Sequence, residues 1–94
     1  MPTVHIEHPT QDFDTWKRAF DSDPAGRQRS GVRRYWISRA VDDPNYVMID
    51  LEFETREQAE GLLHTMQVIW GRPDHGLTRS QQARIVDVVE TKEL

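Results

Sequence analysis

Short stretches with a two-residue hydrophobic period alternate along this chain with two stretches of helical period. In 3–8, Val4 and Ile6 alternate with polar neighbours, which predicts a strand that Pro9 ends. In 12–20 the rings of Phe13, Trp16 and Phe20 recur at i, i+3 and i+7, so one face of a helix carries all three. Asp12 suits the N-cap, and Asp14 puts negative charge in the first turn, where the helix dipole favours it. Asp23-Pro24 reads as a fresh cap followed by proline at the first helical position. The helix is therefore expected to break and restart before Gly31, a residue suited to a left-handed end.

A second strand is expected over 32–39, then a turn at Asp42-Asp43-Pro44-Asn45. The strand over 46–53 has the clearest alternation. Val47, Ile49, Leu51 and Phe53 share one face, and Tyr46, Met48, Asp50 and Glu52 the other. Thr55 and Gln58 form a capping box that opens a helix with an apolar stripe of Ala59, Leu62, Leu63, Met66, Ile69 and Trp70. Gly71-Arg72-Pro73 stops it, 74–82 reads as polar loop or a short helical turn, and 83–90 as a last strand before a frayed tail. Strand, helix, strand, strand, helix, strand is the α+β split β-α-β (ferredoxin-like) order. Right-handed crossovers then place the first and third strands centrally in a four-stranded antiparallel sheet, with both helices on one face.

Composition adds limits. Ninety-four residues fit one domain, 1–94, and hydrophobic residues make up only 36% of them, although three Trp and three Phe enlarge the core. So thin a core favours pairing with a second copy, and a homodimer is expected. A net charge of −4 argues against a nucleic-acid partner. The local cluster Arg27, Arg29, Arg33 and Arg34 is flanked by Asp21, Asp23, Asp42 and Asp43 and reads as a solvated turn, not a phosphate site. The absence of cysteine excludes disulfides, zinc ribbons and iron–sulfur clusters. The N-terminus lacks the features of a signal peptide, and no apolar run nears the ~20 residues of a membrane span. No membrane partner and a cytoplasmic location are the expectations.

Two groups of residues carry candidate chemistry. Strand parity sends His5, Glu7, Met48, Asp50 and Glu52 to the sheet face away from the helices, with Asp87 a candidate to join them. That face can be merely wetted, can meet a partner's sheet, or can hold a site. In the last reading His5, oriented by Asp50, acts as a base, or His5, Glu7 and Asp50 bind a divalent metal in a metal-dependent enzyme. On the helix side a pocket would be lined by Trp16, Phe20, Trp36, Met66, Ile69 and Trp70, with His8 or His64 as the convergent polar group. The competing view is ordinary core packing. No nucleophile elbow, phosphate loop or Rossmann fingerprint is present, so catalysis would rest on acid–base chemistry or on the substrate's own reactivity.

The run Val4-His5-Ile6-Glu7-His8, then Asp12-Phe13-Asp14-Thr15-Trp16-Lys17 and Phe20-Asp21, resembles the start of small dimeric α+β barrel proteins. Asp42-Asp43-Pro44-Asn45-Tyr46-Val47, leading to Phe53-Glu54-Thr55 and a helix with Ala59, extends that resemblance over nearly the whole chain. It is nearest to bacterial proteins related to antibiotic-biosynthesis monooxygenases. The resemblance implies a dimer with its two sheets face to face and the helices outside. It also implies cofactor-independent monooxygenation, isomerisation or cyclisation of an apolar or aromatic compound, with Trp70 and Trp36 as counterparts of pocket residues. The haem-degrading pattern of some members, an asparagine with a helix histidine, is met only loosely by His64, since Asn45 falls in the expected turn. The reading is therefore an enzyme without a bound cofactor or metal, with His8 and His64 catalytic and Trp16, Trp36, Met66 and Trp70 binding substrate. A non-catalytic ligand-binding or dimeric interaction protein is the alternative.

Overall fold

The computed structural model describes residues 1–22, 26–71 and 81–94, the side chain of Trp70 excepted. Its elements are β1 (Pro2–Pro9), α1 (Phe13–Asp21), β2 (Arg34–Ala40), β3 (Asp43–Glu52), α2 (Arg56–Trp70) and β4 (Gln82–Asp87). The strands are antiparallel and lie in the order β2-β3-β1-β4, so β1 and β3 are central, as the crossover argument requires. The expected helix restart at Asp23-Pro24 and the polar stretch up to Ser80 lie outside the described residues.

Side-chain parity on β3 decides which face is inside. Val47, Ile49, Leu51 and Phe53 are buried with Val4 and Ile6 of β1, Trp16 and Phe20 of α1, and Ala59 and Leu62 of α2. Each aliphatic chain so enclosed contributes about 1.5–3 kcal/mol relative to exposure. Asp50 and Glu52 point to the opposite, open face. α1 lies over β3 and α2 over β1 and β4, with little direct contact between the helices among the described residues.

Both helix starts are satisfied by side chains. Asp12 accepts the Thr15 backbone N–H at 3.0 Å, and the bond from the Thr15 hydroxyl, helped by that one, holds its carboxyl below the usual range. Asn45 Oδ1 accepts the Phe13 N–H at 3.0 Å, so α1 is capped from β3 as well. In α2 the capping box forms: Gln58 N–H donates to Thr55 Oγ1 at 3.2 Å and Thr55 N–H to Gln58 Oε1 at 3.4 Å.

Two expectations need correction. The β2–β3 turn is confined to Val41 and Asp42, and Asp43, Pro44 and Asn45 belong to β3. A register shift between Arg39 and Ala40 admits Pro44, which has no N–H to give, and Asn45 O accepts from Thr10 N at 2.6 Å, drawing the segment toward β1. Asp87 is not on the open face. It pairs with Pro2, shares the helix-side parity of Ala83 and Ile85, and lies 3.8 Å from Arg56. Among the described residues no helix is long and apolar enough to cross a membrane.

Candidate functional site

On the helix side an aromatic row starts at the end of β1. His8 is 3% exposed, and its Nδ1–H donates to Pro9 O at 3.1 Å. Its ring meets Trp16 edge-on at 5.8 Å. Trp16 stacks on Phe20 at 5.2 Å, and Phe20 meets Tyr35 edge-on at 5.3 Å. The spacing on α1 aligns these rings, and β2 supplies Tyr35. Phe13 flanks Trp16 at 5.8 Å beneath the Arg39 guanidinium, which lies 4.5 Å from the Phe13 ring centre. Met66, Leu63 and Ile37 are partly buried against the core that this row belongs to.

The structure thus brings His8, Trp16 and Phe20 together, while Met66 is partly buried against the core from α2. Trp36 does not join them: it pairs with Asp50 and lies on the open face, 41% exposed. Its neighbours Tyr35 and Ile37 take the inward positions because they oppose Leu51 and Ile49. His64 is exposed on α2. Trp70 closes α2, and its side chain lies outside the described part.

The open face is organised around His5. Its Nδ1 is 2.7 Å from Asp50 Oδ1, and its Nε2 is 2.9 Å from Glu7 Oε2. An ionised carboxylate only accepts, so with both acids charged both ring nitrogens must carry protons. Burial lowers the histidine pKa, but hydrogen bonds to Glu7 and Asp50 and their charges outweigh it and hold His5 above its ordinary value. Glu7 is held below its ordinary value by the His5 hydrogen bond and by that from Tyr46, whose hydroxyl donates at 3.0 Å. The same bond to Glu7 raises Tyr46. Beside this cluster is a depression of about 320 Å³ lined by His5, Glu7, Gln82 and Arg84. Gln82 was expected in the preceding loop, and Arg84 was not legible as part of it because β4 carries valine or isoleucine on both faces. On the same face Thr3 is 2% exposed, and its hydroxyl has no hydrogen-bond partner among the described residues.

This geometry does not favour the metal reading. Glu7 and Asp50 hold opposite nitrogens of one imidazole, so the three side chains do not converge on a common point. Among the described residues no group of three or more His, Cys, Asp or Glu is placed to hold a metal ion.

No family model matches the sequence, and neither does any curated protein. Solved structures do. A protein of Nitrosomonas europaea provisionally assigned as an antibiotic biosynthesis monooxygenase is 17% identical with a TM-score of 0.70, covering 96% of this chain and 100% of its own. SnoaB of Streptomyces nogalater, a cofactor-independent oxygenase solved in mutant form, is 12% identical at 0.67, covering 96% and 94%. A dimeric ferredoxin-like protein from an uncultured marine organism is 10% identical at 0.69, with 97% of each chain covered. At such identities the likeness is one of architecture: this chain has the ferredoxin-like α+β fold found in proteins similar to antibiotic-biosynthesis monooxygenases.

Proposed function

We propose that the chain is a homodimeric enzyme that acts on a small, apolar, aromatic molecule without a bound cofactor, by oxygenation, isomerisation or cyclisation. The observation that carries this reading is His8, a buried histidine seated at the inner end of an aromatic row. A base in such surroundings can take a proton from a weakly acidic ring compound, and the apolar layer keeps water from competing. The ionised compound then supplies the reactivity, toward oxygen or toward its own side chain. Trp16 and Met66 would contact the substrate. His64, exposed on α2, is the second candidate for proton transfer, and Trp70 is a further residue proposed to bind substrate, whereas Trp36, on the other side of the sheet, is not placed to reach that layer. The full-length likeness to SnoaB and to dimeric ferredoxin-like proteins supports the reading at the level of fold.

The homodimer is proposed to use the open sheet face, where Trp36 is exposed and Met48 and Val86 lie among the charged groups of β1 and β3. A binding protein without catalysis is the second reading, favoured by the close stacking of Trp16 on Phe20, both nearly enclosed. Oxygen uptake with a reduced polycyclic phenol as substrate separates the two. Turnover that falls on replacing His8 by Gln, or His64 by Ala, supports the enzyme and identifies its base. Binding with no turnover in the wild type supports the second reading.

A further inference from the structure

The arginine-rich segment between α1 and β2 is built, not merely solvated. Gly26 and Gly31 take φ of +66° and +98°, and between them the chain closes one turn through Ser30 N–H to Gly26 O at 2.9 Å. Val32 N–H returns to Arg27 O at 3.1 Å, and Arg33 N–H joins Glu52 O of β3 at 2.8 Å. These bonds shape a depression of about 460 Å³ lined by Arg27, Gln28, Val32, Arg33, Arg34 and Tyr35.

The lining has two chemistries side by side. Arg27 is fixed: it donates to Phe20 O at 2.7 Å, and its guanidinium lies 3.9 Å from the Phe20 ring centre and 5.1 Å from that of Tyr35. It therefore stands at the outer end of the row that begins at His8. Arg34 holds Glu52 with two bonds of 3.1 and 3.2 Å, and Arg33 holds Glu54 at 3.2 Å. Both arginines are well exposed. Such pairs are weak, and their arginines exchange carboxylate partners readily. The planar guanidinium is suited to a carboxylate, while Val32 and the Tyr35 ring offer apolar surface.

We propose that this depression binds the carboxylate of a small aromatic acid, Arg33 and Arg34 taking the charge while Tyr35 and Val32 meet the ring. The inference rests on the reading of the chain as a binder of aromatic compounds and narrows that class to acids. Arg27 is a positioning residue that holds the aromatic wall in place. Glu52 and Glu54 occupy the two outer arginines when the site is empty.

Calorimetric titration with 2-naphthoate and with its neutral counterpart 2-naphthalenemethanol tests this. The wild type should bind the acid about tenfold more tightly than the alcohol, with the difference shrinking at high salt. In an Arg33→Gln, Arg34→Gln double variant, and in part in Arg33→Gln alone, the acid should fall to the affinity of the alcohol while the alcohol is unchanged. Circular dichroism confirms that the variants fold. A preference for the acid that survives both variants would place its charge elsewhere and overturn the site. Equal affinities in the wild type would overturn the charge recognition and leave the aromatic reading standing. If neither compound binds, the aromatic reading itself fails and this inference goes with it.

Discussion

His5 shows what a single side chain contributes when both of its nitrogens are engaged. Its pKa is raised in the fold, so its stabilisation is complete below the ordinary value of 6.5 and is lost as pH rises through the folded value. Glu7 runs the other way, stabilising above its ordinary 4.5 and losing that as pH falls through its lowered value. Thermal unfolding temperature should therefore decline on both sides of a weakly acidic maximum. In His5→Gln the alkaline decline should flatten; an unchanged alkaline limb would show that the imidazole is not the group responsible. Leu62 tests plain packing. It is 1% exposed on the inner side of α2, and Leu62→Ala should cost about 2–5 kcal/mol in denaturant unfolding.

Among the elements, α2 and the segment entering β2 offer separable tests. Thr55→Ala removes one half of the capping box and should destabilise by ~1 kcal/mol, measured as a lower urea midpoint at constant slope. Gly31 is held at φ +98°, and an added Cβ would meet Gln58 Nε2 at 2.8 Å, so Gly31→Ala should cost upward of about 1 kcal/mol. Gln58 serves both features, so the two losses should not add cleanly in the double variant. The helices were legible because each had two concordant signals, period and cap, α2 with a capping box ahead of its stripe, and β3 because its alternation was clean. Trp36 was misplaced because β2 has Tyr35, Trp36 and Ile37 in succession, which gives no period of its own. Its parity is fixed only by the register against β3, a long-range fact. The turn at 42–45 misled for a related reason: its residue chemistry is that of a turn, yet Asp43 pairs with Ala40 of β2 and Asn45 bonds Thr10, so only Asp42 stays in the turn.

For the whole molecule, the separation of the two faces governs what the protein can do. The helix face encloses the aromatic row, and the open face presents charges around an exposed Trp36. If a second copy covers that face, Trp36→Glu should shift the protein toward monomer in analytical ultracentrifugation without unfolding it. A wild type that sediments as a monomer at every concentration would remove the homodimer from the proposal. The candidate site was legible as far as local spacing reaches. His8 and the α1 rings follow from parity and period, and the facing of His5 and Asp50 from adjacent strands. The arginine depression was not, because loop curvature depends on two glycines and on bonds to β3 that no short window reveals.

The bond from Asn45 to the first amide of α1 spans 32 positions, and it bears on how the chain acquires its shape. A nine-residue helix is too short to persist in isolation. A peptide ending before β2, which lacks that cap and the packing of β3, should therefore give the circular dichroism of a coil. The helix that comes first along the chain is thus expected to owe its persistence to a strand 32 positions away.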